Sequence, residues 1–168
     1  IGFDGSRFVL PELRWHRHTV EVDAGIGGGL FGTPNVDATD LARVLKASEP
    51  ERVGKAVELA QGDDPVCVWC HYDSEQSEIV KRIPGAVSVK GSDSPEHKER
   101  SLLGFADGAF RVLVTKPKIA GFGMNWQHCH TTVFASVSFS FESQYQAVRR
   151  FYRFGQKNPV DAHLVCAN

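Results

Sequence analysis

Four stretches of this chain have residue types and spacings that can do chemistry. "CVWCH", residues 67 to 71, sets two cysteines three apart before a histidine. That pattern attaches a c-type haem, and a C-x-x-C pair alone suits zinc or a redox couple. "HCH" at 128 to 130 offers further ligands. "VLVTKPKIAGFGMNWQHC", residues 112 to 129, runs Thr115, Lys116, Lys118, Gly121 and Gly123 past the end of an apolar run. Glycines let a backbone approach a ligand closely, and exposed amides beside two lysines favour a phosphate chain. "FESQYQAVRRFYRFGQ", residues 141 to 156, carries Gln146, Arg150 and Arg153. Two arginines three apart are suited to grip a triphosphate, because each guanidinium fork donates paired hydrogen bonds to phosphate oxygens.

The elements that must position these residues alternate from Pro65 onward. "VCVWCH", "AVSVK", "RVLVT", "TTVFASV" and "DAHLVC" read as strands, with "DSEQSEIVKRI", "SPEHKERSLLGF" and "FESQYQAVRRFYRFG" as the helices among them. Apolar strands alternating with helices imply an α/β domain of at least five strands, a parallel sheet with helices on both faces. Its ligand crevice belongs at the carboxyl ends of the strands. Upstream, a strand is expected near His18 to Asp23, followed by a loop through "GIGGGLFGTPN". Two helices follow, broken around Ser48, with Ser48 as N-cap, Glu51 completing a capping box and Gly62 as the stop. In the last helix, at 100° per residue, Phe141, Tyr145, Val148 and Tyr152 form an apolar stripe. Gln146, Arg150 and Arg153 then fall within about 60° of one another on nearly the opposite face. The expected division is an N-terminal extended segment with leading helices over 1–64 and a core over 65–168.

A strand context weakens the haem and zinc readings. Side chains alternate along a strand, so Cys67 and Cys70 point to opposite faces and serve as small core hydrophobes. No metal site is expected. "GGGLFG" satisfies G-x-G-x-x-G, but Thr33 and Pro34 follow where a helix would have to open. "VGKA" at 53 to 56 has alanine where a phosphate loop carries its hydroxyl, and no G-x-x-x-x-G-K-[ST] occurs anywhere. By itself, the chain should not hydrolyse nucleotide. With 19 basic and 20 acidic residues the formal charge is -1, so contact with a nucleic acid must come from a local basic patch. Four scattered cysteines give no disulfide scaffold, and no apolar run is long enough to span a bilayer. The expectation is a cytoplasmic protein with no membrane partner, in a bacterial or phage-infected cell. The start at Ile1 suggests a piece of a longer protein.

The order and spacing of "VWCHYDSEQSEI", "VKGSDSPEHKERSLLGFADGAFRVLVT", "KIAGFGMNWQ" and "QAVRRFYRFGQ" resemble the second RecA-like domain of superfamily-2 helicases, Swi/Snf-type DNA translocases and related phage helicases in particular. The resemblance covers residues 65 to 166. It implies a RecA-like sheet without its own phosphate loop, and a motor that uses ATP and Mg bound mainly by a first RecA-like domain. Arg150 and Arg153 match the two arginines of motif VI, with Arg153 as the arginine finger, and Gln146 matches that motif's opening glutamine. Thr115, Gly121, Gly123 and Asn125 match motif V, and Lys90 and Gly91 a strand end that contacts the tracking strand. "CVWCHYD" matches motif IV, which puts His71 near the nucleic-acid path. With Lys116 and Lys118 these residues are expected to meet DNA. Arg149 stands where the family usually has a small residue. The rival readings are a non-enzymatic module that binds nucleic acid or a partner, and a metal-bound redox protein built on the cysteines.

Overall fold

The computed structural model describes residues 9–21, 38–119, 124–136 and 141–167. Gly121, Gly123 and the glycine-rich stretch 25–32 lie outside these residues. Six strands form one sheet in the order β1-β6-β5-β2-β4-β3: β1 (Leu13–Val20), β2 (Val66–Trp69), β3 (Val87–Ser88), β4 (Val112–Thr115), β5 (Thr131–Phe134) and β6 (Val160–Ala167). Every neighbouring pair is parallel. The central strands β2 and β4 are buried at every residue, so "VCVW" and "VLVT" are continuous apolar runs without a polar face.

Among the described residues are five helices: α1 (Ala38–Ala47), α2 (Glu49–Leu59), α3 (Asp73–Arg82), α4 (Pro95–Ala106) and α5 (Phe141–Val148). One core contains Val53 and Ala56 of α2 and Ile79 of α3 against Val66, Val68 and Cys70. The other contains Leu102 and Phe105 of α4 and Val148 at the end of α5, against Cys67, Trp69 and Phe134. The two cysteines of "CVWCH" thus belong to opposite faces, as alternation requires. Burial pushes both thiols well above their usual range, which keeps them protonated and inert.

The chain order explains where a crevice opens. From β2 it passes through α3 and β3 to β4 on one side of β2, then crosses to β5 on the other side. Connections on the two flanks diverge at that reversal and leave a gap at the carboxyl ends of β2, β4 and β5.

Three local expectations are corrected. Ser48 does not cap α2; its backbone is helical, and its hydroxyl donates to Leu45 O and accepts from Arg52 Nε at 2.8 Å. The strand expected from His18 to Asp23 begins at Leu13, because its alternation is set by pairing with β6 from Val160 onward. The last helix ends at Val148, since the Arg150 carbonyl accepts from the amide of Trp126 at 2.9 Å and the chain tightens into turns that bury Phe151. The apolar stripe fails with it. Phe141 and Tyr145 are 77% and 49% exposed and stack on each other, while Ala147, Val148 and Phe151 face the core.

Candidate functional site

A cleft of about 360 Å³ lies at the sheet's reversal point. Trp69 and Phe134, at the ends of β2 and β5, make its apolar floor; His71, Lys116, Lys118 and Ser136 are among the groups around it. The two rings are buried and stacked, 6.3 Å between centroids, and Trp69 Nε1 donates to Thr132 Oγ1 at 2.7 Å. That bond satisfies the only polar atom of the floor.

The rim is fixed from behind by a buried ion pair. Glu75 lies in the first turn of α3 and reaches back to accept from the amides of His71 (2.9 Å) and Tyr72 (3.1 Å) and from the Ser136 hydroxyl (2.8 Å). Its other oxygen accepts from Arg52 Nη1 at 2.5 Å, with both side chains essentially without exposure. Arg52 donates in turn to the carbonyls of Leu45 and Ala135 and to Ser48. Burial alone would raise the Glu75 carboxyl, but the amide bonds and Arg52 outweigh it and hold the group ionised below its usual range. Six other residues of the chain are tied to one carboxylate and one guanidinium.

Lys116 pairs with Asp73 at 2.8 Å, and Lys118 is exposed with no ion pair among the described residues. Lys90 donates its Nζ to Ser77, and its amide donates to Asp93 at 2.7 Å. Gly91 follows it on the surface, and Asn125 is also exposed. Thr115 differs from these: it is fully buried, and its hydroxyl donates to the carbonyl of Val89 at 3.0 Å. Its observed work is to join β4 to the end of β3.

The arginine group is not the one-faced display that helical periodicity suggests. Gln146 is exposed, whereas Arg150 is only 9% exposed and lies beyond the helix end, its guanidinium 5.8 Å from the centre of the Trp126 ring. Arg150 Nε has no hydrogen-bond partner, and no carboxylate pairs with the side chain among the described residues. Burial lowers its pKa, with the Cys67 thiol acting weakly the other way. Arg153 is half-buried, and its guanidinium likewise has no ion pair among the described residues. Arg149 points outward over Tyr145, 5.9 Å from the ring centre. Gln156 is a buried brace: its amide donates to Cys129 O and Phe151 O, and its oxygen accepts from the amides of Lys157 and Asn158.

"HCH" does not converge on a point. His128 packs edge-on against Phe105, and Cys129 is buried and donates to the carbonyls of Pro65 and Thr131. Burial pushes the Cys129 thiol up to about 12. No group of three His, Cys, Asp or Glu side chains among the described residues is arranged to hold a metal ion, and no helix among them is long and apolar enough to cross a membrane. Sequence reasoning missed Arg52, Glu75, Ser136 and Asp73. Only Glu75 left a signal there, as an acid three residues past the N-cap position Tyr72.

A six-stranded parallel sheet with helices on both faces and a cleft at its reversal point defines a RecA-like α/β domain. The model of the helicase conserved C-terminal domain matches residues 49–155, more than half of the chain, and the chain belongs to that family. Its fold is similar to that of UvsW of T4, with a TM-score of 0.63 at 15% identity over 95% of this chain and 33% of that one. The C-terminal part of the Fun30 ATPase domain gives 0.61 at 14% identity, over 75% of this chain and 43% of that one. A DEAD box protein from the hyperthermophile Methanococcus jannaschii gives 0.61 at 17%, over 71% and 34%. The chain therefore spans less than half the length of each of these structures. No curated protein is similar enough to count as a match.

Proposed function

We propose that the chain is the C-terminal motor domain of an ATP-dependent superfamily-2 helicase or translocase acting on DNA, of the Swi/Snf-type or phage group that its sequence blocks resemble. The observation that carries this reading is Arg150. Leaving a charge buried without a partner costs several kcal/mol, of the order of 3–5 when a partner is removed. A ring contact returns only about 0.5–2 kcal/mol. The Trp126 ring therefore does not offset the desolvation of Arg150, and an arriving anion would. Arg150 is rigidly seated by its backbone bond to Trp126, which suits a fixed phosphate clamp. Arg153, three residues further on, half-buried and without an ion pair among the described residues, suits the arginine finger. Gln146, exposed on α5, is read as a further contact of the nucleotide.

Among the described residues no group of carboxylates or other ligands is arranged to hold a magnesium ion. The ATP and its Mg are read as held mainly by a first RecA-like domain, and nothing this chain does is routed through the metal. What the chain supplies is positive charge at the transferring phosphoryl group and, at the cleft, lysines for the strand backbone. His71, Lys90, Gly91, Lys116, Lys118 and Asn125 are the contacts read for DNA, with Gly121 and Gly123 carried on resemblance alone; buried Thr115 would act by holding the strand ends. Phosphate contacts of this kind position a strand without reading its sequence.

In the intact protein, Arg153→Ala should lower DNA-stimulated ATP turnover by roughly 10³-fold or more while DNA affinity stays within about twofold. Unchanged turnover in that variant rules out Arg153 as the finger.

A further inference from the structure

The cations around the cleft are not equally available. Lys118 is exposed and unpaired among the described residues, whereas Lys116 Nζ sits 2.8 Å from Asp73 Oδ1. The Asp73 side chain is 67% exposed and the Lys116 side chain 26%. Asp73 opens α3 and also lies in the field of Lys90, at the end of β3. One carboxylate thus stands between two of the lysines assigned to the strand backbone. A carboxylate oxygen at this distance from an ammonium takes the position that a phosphodiester oxygen would take.

The contrast with Arg52 and Glu75 shows what kind of pair this is. There both partners are buried, Arg52 is saturated with acceptors, and neither can leave without stranding the other. Asp73 has water on most of its surface, and the amides of His71 and Tyr72 just ahead of α3 are already bonded by Glu75. Its bond to Lys116 lowers the carboxyl's pKa, so it is ionised across the neutral range. Exposed pairs of this sort are weak and open readily.

Resting on the nucleic-acid reading above, we propose that Asp73 is an internal competitor for the phosphate site at Lys116, occupying the ammonium until a strand phosphate displaces it. The competition lowers affinity for the strand and makes this contact easy to release. Such a contact suits a protein that must let go of each phosphate in turn.

The test is binding of a fluorescent oligo-dT strand to the intact protein across roughly 50 to 200 mM salt. Asp73→Asn should bind roughly two- to five-fold tighter than wild type. Its log-log salt dependence should stay close to that of wild type, because the strand phosphate reaches Lys116 in both proteins, whereas Lys116→Ala should flatten it by about 0.7. Lys116→Ala should bind more weakly, and adding Asp73→Asn to it should produce no gain. Asp73→Ser, which keeps a hydrogen-bond acceptor at the helix start, should repeat the tightening if Asp73→Asn is poorly folded. Unchanged affinity in both Asp73 variants overturns the competitor role while leaving the helicase reading intact. A gain that persists without Lys116 also overturns it, since the effect would then be a general field. If Lys116→Ala changes nothing, there is no contact to compete for, and the nucleic-acid reading of the cleft fails with the proposal.

Discussion

Arg150 is only 9% exposed, its Nε is buried without a hydrogen-bond partner beside Trp126, and no carboxylate among the described residues offsets the desolvation. A residue kept at such a cost should trade stability against function. Arg150→Met keeps the length and the contact with Trp126 but removes the charge. The variant should melt higher, by about 1–2 kcal/mol of stability or a few degrees, while ATP turnover of the intact protein collapses. Calorimetry alongside a phosphate-release assay reads both, and a variant that is destabilised yet active would remove the argument for an absent anion. Sequence picked out Arg150 and Arg153 by type, spacing and resemblance, but the helical face that grouped them with Gln146 does not continue past Val148. Arg52 was invisible, because an arginine inside an amphipathic helix reads as solvated until its tertiary partner Glu75 is known.

Elements were legible where local chemistry decides them. Continuous apolar runs located β2 and β4, and "SPEHKERSLLGF" begins as its signals require, with Ser94 accepting from the amide of His97 and Pro95 in the first turn. β1 was legible only in part, since its register comes from β6. That pairing creates a cluster no spacing rule reveals: Arg14 and His16 both bind Asp161 at 2.7 Å, and His18 meets His163 at 3.0 Å. His16 also stacks on His163, and Lys55 and Glu58 of α2 act on His18 from the covering layer. Burial first, then His16 and His18, push His163 down from 6.5 to about 4, against the pull of Asp161. The folded state therefore binds fewer protons than the unfolded one in that window. The neutral ring's contribution is complete above 6.5 and lost as pH falls toward 4. Allowing for the half-exposed setting, the loss is about 1–2 kcal/mol. Amides of β1 should lose protection from hydrogen exchange between about pH 7 and 4.5 before those of β2 and β4, and His163→Gln should flatten the difference. Equal pH dependence in all three strands would remove the histidines as the cause.

At the scale of the molecule, the fold class followed from alternation of strands and helices, but the strand order did not. Whether β5 lies beside β4 or crosses to the far side of β2 depends on pairings between distant segments, and that crossing decides where the cleft opens. The absence of a G-x-x-x-x-G-K-[ST] motif from the 168 residues has a direct consequence for assays. This domain alone should release no phosphate from ATP above background, whereas the intact protein should, and comparable turnover by the domain alone would contradict the division of labour proposed above. The same topology also orders events during synthesis. β1 is made well before its partner β6, with Arg14 and Asp161 147 residues apart. While the residues between them are made, β1 is a strand without its neighbour, the species most exposed to pairing with another nascent chain. Its "RWHRH" segment spaces basic and titratable groups along that strand, so the residues that later clasp Asp161 and His163 first serve to keep the waiting edge apart from its copies.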